Sequence, residues 1–401
     1  MQKITFYIPS RIYGGAERQM ALLACLASDN GFDVTVIDSK IGIVANILKN
    51  RKEISIVTES IEKKIHVKDS ILITQASYAF CINSMINITN CDVRFWFMHS
   101  LNLPDMYIED KLPIVLKKIY SLIFKRLYKK RLKKYSSSLF FMGEDIKETI
   151  EKNYNIELNS NCTGMLSEKK SYQQNFSESK DNATKNSICW LGRLDKNSKL
   201  IIIKKLLYDF SFSEKYKKGF YFKIIGDGDA KKELISYAKS LNIKESVIFH
   251  GHIDFEDLPN ILSDSMIMFA HGTSVYEGIN NNIPVCLIDF YTSNEHIQKM
   301  RYEFYADHDS NGFGTLITSI DDPLISKGKK FDKLLNEADT NKEKILEKQN
   351  SKLSNFLKFG EEKCQILFEK PRYGKEYPNS IFIDILFFKL RKLSLKIQNS
   401  Q

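Results

Sequence analysis

MIMFAHGTSVYEGINNNIPVCLID, residues 266–289, carries the alternation that decides the fold. Residues 266–270 are apolar without a polar break, the pattern of a strand buried on both faces. Gly272, Thr273 and Ser274 interrupt the run, and a helix begins near 273. An Asn-rich turn and Pro284 end that helix, and residues 285–288 form a second apolar strand. Strand, helix and strand in close succession predict parallel pairing, because parallel strands need a crossover.

The same rhythm extends in both directions. Toward the N-terminus, strands at 187–191, 220–225 and 247–250 alternate with helices near 200–210, 230–241 and 258–263. A polar stretch, EKKSYQQNFSESKDNATKN at 168–186, marks a linker or exposed loop. Before it, strands at 4–8, 33–37, 54–57, 71–74, 93–98 and 138–141 accompany a helix at 17–26. The expected class is α/β, with two doubly wound Rossmann-like domains facing each other across a cleft. We place a first Rossmann-like domain at 1–170, a linker at 171–186 and a second Rossmann-like domain at 187–355. A helical tail, 356–401, is free to pack back on the first domain or to lie on a membrane. A chain of 401 residues is too long for a single core, which rarely grows past about 250 residues.

Composition narrows the function. At 43% hydrophobic and 27% charged, the chain is that of a globular protein, not a disordered one. It lacks a run of about 18 apolar residues, so a spanning helix is not expected. The N-terminal MQKITFYIPS reads as a strand and lacks the apolar core of a signal peptide. Seven scattered cysteines, never spaced CxxC, speak against a disulfide framework or structural zinc and for reduced, cytosolic thiols.

Four turns between strand and helix carry candidate chemistry. In IPSRIYGGAERQM, residues 8–20, Gly14 and Gly15 would let backbone come close to a ligand at a helix N-terminus. A tight turn with no ligand explains the same residues. In SICWLGRLDKNSKL, residues 187–200, Arg193 and Lys199 are two cations at a strand end, suited to a diphosphate; a solvated loop is the alternative. In FKIIGDGDAKKELI, residues 222–235, Gly226 opens a Gly-rich turn and is a candidate for binding the same donor ligand as Gly14 and Gly15, while Asp227 and Asp229 fit a backbone role better than a metal. In the opening stretch, Gly272, Thr273 and Ser274 suit a phosphate, and Glu277 one turn on suits a ribose diol; a capped structural helix is the bland reading. His99 ends the strand in RFWFMHS and would face the cleft; a strand-end histidine bonded to backbone is the alternative. His271 is a further candidate beside Gly272. The histidines form no metal-ligand cluster, and no metal cofactor is expected.

In this order GGAER, GRLDKNSK, GDGD, VIFHGHID and SVYEGINNNIPV resemble GT-B glycosyltransferases, and in particular glycosyltransferase family 4, over residues 3–290. That resemblance implies a retaining, nucleotide-sugar-dependent enzyme. It implies that Gly15 approaches the donor diphosphate, and that Arg193 and Lys199 stabilise the leaving nucleotide diphosphate. It also implies that His99 contacts the donor sugar. The family motif is two glutamates separated by seven residues. Glu277, seven before Pro284, matches the second, and the first falls on Phe269. The rivals are a GT-B epimerase, a non-catalytic nucleotide-sugar-binding or scaffold protein, and a nucleic-acid binder.

The charge completes the reading. The chain carries 59 Lys+Arg against 49 Asp+Glu, a net charge of +10. Residues 111–143 contain ten basic residues and no acidic one, so this segment holds the whole surplus. Its apolar residues recur at three- and four-residue steps, giving an amphipathic helix. We expect Lys117, Lys118, Lys125, Arg126, Lys129 and Lys130 to face an anionic membrane; a helix packed on the core with a solvated outer face is the alternative. Nucleic acid is not an expected partner, since no reader motif accompanies the charge. The combined expectation is an enzyme peripheral to the cytoplasmic face of the cell membrane. It would move a sugar from a nucleotide sugar to a glycan or lipid-linked acceptor of the cell surface.

Overall fold

Strands that are apolar on both faces belong inside a sheet, and the chain builds two such sheets. The computed structural model describes residues 1–11, 14–59, 64–79, 81–99, 103, 125–167, 186–196, 199–253, 257–291, 297–309, 314, 316–317, 327–369 and 389. The chain divides into one unit of Met1–Glu168 with Phe356–Ser400 and a second of Lys169–Asn355.

In the first unit the strands are β1 (Lys3–Tyr7), β2 (Asp33–Asp38), β3 (Ser55–Thr58), β4 (His66–Lys68), β5 (Ile71–Gln75), β6 (Asn87–Thr89), β7 (Asp92–Phe97), β8 (Leu139–Phe141) and β9 (Asn161–Cys162). Seven of them form a parallel sheet in the order β3-β2-β1-β5-β7-β8-β9, while β4 and β6 pair separately. The direction of winding reverses between β1 and β5, the place where open α/β sheets bind ligands beyond their carboxyl ends. The helix Gly15–Asp29 lays Met20, Ala21, Leu23, Ala24 and Ala27 on one face of the sheet against Ile4, Phe6, Val34 and Val36. Its small alanines let backbone and sheet approach closely, and its one buried amide, Gln19, is satisfied by Leu166 in both directions at 2.8 Å.

The segment after residue 355 belongs to this first unit. Cys364, Leu367 and Phe368 join its core, and Arg94 donates to the Ile366 carbonyl at 3.0 Å and the Glu369 carbonyl at 2.9 Å. Gly360 and Gly164 meet backbone to backbone: a Cβ on Gly360 would stand 2.1 Å from the Met165 carbonyl oxygen.

The second unit contains β10 (Ser187–Leu191), β11 (Tyr221–Ile225), β12 (Val247–Gly251), β13 (Ser265–Ala270), β14 (Val285–Leu287), β15 (Phe290–Tyr291), β16 (Glu303–Phe304) and β17 (Leu316–Ile317). Its main sheet runs β12-β11-β10-β13-β14-β16, parallel except for the edge strand β16, with β15 and β17 paired apart. Here the reversal lies between β10 and β13, whose register sets Leu191 beside Ala270. β13 is buried along its whole length, as its unbroken apolar run predicts. Phe269 is fully buried against Phe222, Phe331 and Tyr302. The position counted for the first glutamate of the motif is thus strand interior, where a carboxylate would be desolvated without a partner.

The helix Ser274–Asn280 is pressed onto this sheet at Gly278, where a Cβ would meet Met268 Cε at 2.2 Å and Val285 Cγ2 at 2.6 Å. The sequence reading places most of the main-sheet strands of both units. It omits the helices Glu144–Tyr154, Phe331–Thr340 and Lys342–Lys358, the short helices Ile43–Ile47 and Ile82–Met85, and the strands β4, β6, β9, β15, β16 and β17; these strands are too short for any period to emerge. Residues 111–118, like the linker expected at 171–186 up to residue 185, lie outside the described residues.

Gly360→Ala should destabilise the first unit by about 1–3 kcal/mol, the usual cost of overpacking against backbone that cannot yield. Thermal unfolding checks it, and an unchanged midpoint would mean that the tail segment is not held there.

Candidate functional site

The second unit gathers its candidate residues at the carboxyl ends of β10, β11 and β13. Two turns lock there. The Leu194 N–H donates to the Asp227 carbonyl at 2.9 Å, the Gly192 N–H to Ile225 at 3.0 Å, and the Ala230 N–H to Leu194 at 3.0 Å. Gly226 and Gly228 make this possible. With φ of 137° and 156° both lie in backbone that L side chains rarely adopt. A Cβ on either would also strike a carbonyl oxygen, that of Gly192 at 2.1 Å or Leu194 at 2.2 Å. Gly226, assigned above to donor binding, therefore makes its contact with protein backbone. Both acidic side chains serve backbone as well. Asp227 accepts from the Gly228 N–H at 2.8 Å, which holds its carboxyl below the ordinary range, and Asp229 accepts from the Lys196 N–H at 3.0 Å.

The lock leaves Arg193 and Lys199 in different states. Arg193 is largely in solvent, its side chain 59% exposed, with Nε 3.9 Å from Asp195 Oδ2. Lys199 is buried, and its Nζ has no hydrogen-bond partner among the described residues. The ammonium lies 3.7 Å from the centroid of the Phe290 ring. Burial pushes its pKa down to about 7, an effect that Asp195 partly offsets and Arg193 reinforces. A buried cation without a partner is costly by itself and is relieved by any anion that reaches it.

Across the switch point, the β13 turn closes on the same place. The Ser274 Oγ is 3.7 Å from where a Cβ on Gly192 would stand. Gly272 has φ of 65° with open space at its Cβ position, and Thr273 makes no capping hydrogen bond with its side chain. Glu277 is half-buried in the first turn of the following helix. His271 packs against Phe290, and its Nδ1 is 2.6 Å from the Ile288 carbonyl oxygen. Lys199, Phe290, His271, Gly272 and Ser274 thus form one continuous patch. The sequence reading contains all of these except Phe290, whose only signal is an aromatic residue just past a strand.

In the first unit, Gly14 sits in extended backbone open to any residue, so its conformation does not require glycine. Its missing side chain leaves room that the Glu17 carboxylate occupies, 2.8 Å from the Cβ position and 2.9 Å from Ser10 Oγ. Gly15 opens the helix Gly15–Asp29. A buried carboxylate that the sequence did not flag organises this edge. Asp38 accepts from the N–H groups of Ser10 at 3.0 Å, Ser39 at 2.7 Å and Ala45 at 2.9 Å. His99 lies two residues past β7, half-buried, at the same carboxyl edge.

The basic segment is helical over Arg126–Lys134. Tyr128 and Leu132 join the core of the first unit, so the apolar face is covered by protein. Lys129 turns toward the protein too, donating to the Asn155 carbonyl at 2.7 Å, and Arg131 is buried. Arg126, Lys130, Lys133 and Lys134 face solvent. Lys129 thus leaves the outward set, and Lys133 and Lys134 enter it. Lys125 is half-buried, and Lys117 and Lys118 lie outside the described residues. Among the described residues no helix is long and apolar enough to cross a membrane, and no group of three or more His, Cys, Asp or Glu could hold a metal ion.

Residues 171–316 match the family described as glycosyl transferases group 1. A curated relative, the chitobiosyldiphosphodolichol beta-mannosyltransferase of Debaryomyces hansenii, is 28% identical over 151 residues, 37% of this chain. The chain spans about a third of that relative's length, 31%. The structure of Anabaena Alr3699/HepE in complex with UDP and glucose is similar with a TM-score of 0.59 at 13% identity, over 92% of this chain and 100% of that one. WaaG, a glycosyltransferase involved in lipopolysaccharide biosynthesis, gives 0.56 at 12% identity over 92% and 100%. These likenesses establish the α/β fold with two Rossmann-like units expected of GT-B proteins.

Lys199→Met should remove a buried charge without opening a cavity. The wild-type lysine is protonated in the unfolded chain up to about pH 10.5 but in the folded chain only up to about 7. Wild-type stability therefore rises with pH across that window, and the variant lacks the rise. Urea unfolding from pH 6 to 10 should show the variant's advantage greatest below pH 7 and shrinking above it. A difference independent of pH would contradict the burial of Lys199.

Proposed function

We propose that this protein is a glycosyltransferase that takes its sugar from a nucleotide-diphosphate donor bound on the second unit. The observation that carries the reading is Lys199, buried without a hydrogen-bond partner among the described residues and linked through Phe290 and His271 to the turn at Gly272, inside the segment that matches the group 1 family. Lys199 and Arg193 are a buried and an exposed cation at one strand end. They suit a diphosphate whose charge grows as its bond to the sugar breaks. Thr273 and Ser274 offer hydroxyls to the same phosphates, and Glu277 is assigned to the ribose. UDP and glucose, present in the Anabaena relative, indicate the class of donor to try first.

The chemistry follows from the family resemblance. An acceptor hydroxyl attacks the anomeric carbon as the bond to the diphosphate breaks. A phosphate oxygen of the leaving group takes the acceptor proton, so that configuration is retained on the front face. His99 is the candidate for contact to the donor sugar. Nothing in this scheme requires a metal, because Lys199 and Arg193 supply the positive charge.

The acceptor is assigned to the glycan or lipid-linked class, as the dolichol-linked name of the yeast relative suggests. The exposed row Arg126, Lys130, Lys133 and Lys134 would hold the enzyme at an anionic membrane surface on its cytoplasmic side. With the apolar face of this helix in the protein core, attachment is electrostatic and sensitive to salt.

Two measurements test these assignments. In calorimetry with UDP, Lys199→Ala and Arg193→Ala should each weaken binding by roughly tenfold to a hundredfold, the worth of a charge-assisted hydrogen bond. Both should also remove most transfer from the donor that a thermal-shift panel of nucleotide sugars selects. Wild-type affinity and turnover in both variants would refute the donor site. In co-sedimentation, vesicles containing phosphatidylserine should bind the chain, and charge reversal of Arg126, Lys130, Lys133 and Lys134 should abolish this. Binding that ignores anionic lipid content would show the row to be a solvated face.

A further inference from the structure

We propose that Phe290 is the positioning residue for the Lys199 ammonium, a role that ties the two halves of the candidate phosphate site together. The proposal rests on the donor-site reading above and adds a residue to it. Lys199 comes from the turn after β10 and His271 from the turn after β13, and Phe290 touches both. Its ring centroid is 3.7 Å from Lys199 Nζ, and it also packs against the imidazole of His271.

The ring is itself held from several sides. Phe290 begins β15, which pairs with β17 through Leu316. His271 is fixed by the Ile288 carbonyl and closed in by Gly314, where a Cβ would fall 2.5 Å from its Nδ1. Phe290 is almost fully buried, so little water reaches the ammonium on that side.

The physics gives the ring a specific task. A lysine buried without a hydrogen-bond partner loses its proton or swings out to solvent, unless something favours the charged form in place. The negative face of an aromatic ring does so without using any of the three N–H donors. The donors then remain available to an anion at the Gly272–Ser274 turn. The charged and titratable groups around Lys199 are Asp195 and Arg193 on its own loop, with His271 behind Phe290. Asp289 precedes Phe290 but is paired with His308, its Oδ2 3.3 Å from the histidine Nε2. None of these groups makes a hydrogen bond to Lys199 Nζ. An apolar side chain of similar size at 290 would keep Lys199 buried and remove the attraction. Deprotonation would then occur at lower pH and anion binding would weaken.

The test uses the full chain with lysines labelled at Cε and its attached protons, and assigns the Lys199 resonance by its loss in Lys199→Arg. In the wild type the ring current should move the Lys199 Hε protons upfield, and the signal should titrate near pH 7. Phe290→Tyr should keep both features. Phe290→Met should lose the upfield shift, titrate at lower pH, and bind UDP at pH 7 roughly threefold to thirtyfold more weakly. A wild-type Lys199 with no ring-current shift overturns the proposal even if Phe290→Met fails to fold. So does Phe290→Met with wild-type titration and wild-type UDP affinity. If UDP binds the wild type without any dependence on Lys199, the donor-site reading fails instead. The resonance measurements still decide the role of Phe290 in that case.

Discussion

The lock between the turn after β10 and the turn after β11 is the constraint on which the second unit's chemistry depends. Gly226 and Gly228 bring the two backbones so close that any side chain at either position would displace the carbonyl of Gly192 or Leu194. Leu194 is drawn into the core, and the residues on either side of it are thereby sent in different directions. Arg193 points into solvent, and Lys199, at the start of the helix Leu200–Phe212, enters the interior. The glycines set the place of the turn residues through this close approach of backbone.

The opposite side of the site depends on packing of another kind. Gly278 lets the helix Ser274–Asn280 lie directly on Met268 and Val285, which fixes where Gly272, Thr273 and Ser274 end. Because β10 and β13 are neighbours at the point where winding reverses, the two turns meet there without any contact to specify it. The first unit has an analogous arrangement with a different solution. Asp38 binds three backbone N–H groups and so joins the end of β1 to the end of β2, and Glu17 fills the space over Gly14. One carboxylate is buried and structural, and the other lies at the helix entrance, where negative charge is favoured.

The basic segment shows how composition and structure divide the evidence. Ten cations without an acid can be counted along the chain, but counting cannot say which are outward. Packing of Tyr128 and Leu132 turns Arg126, Lys130, Lys133 and Lys134 to solvent and directs Lys129 to Asn155. A helix with its apolar stripe already covered can meet a membrane only through charge.

Much of the fold was legible because parallel strands buried on both faces leave unbroken apolar runs, and turns between them need glycine or hydroxyl residues. Residues 266–270, Gly272 to Ser274, Arg193 and Lys199 could be found on that basis alone. What could not be read was anything settled by partners distant along the chain. Lys199 and Phe290 are ninety-one positions apart, and nothing local distinguishes a lysine that will be buried over a ring from one that will be solvated. Asp38 looks like any strand-end carboxylate until three N–H groups converge on it, and the close approach of Gly226 to Gly192 cannot be read from either stretch alone. Local periodicity by itself determined which segments are strands and helices and which turns hold the candidate residues. Only the tertiary structure decided which of those residues are buried, paired or exposed, because desolvation and close approach are set by neighbours that sequence separation hides.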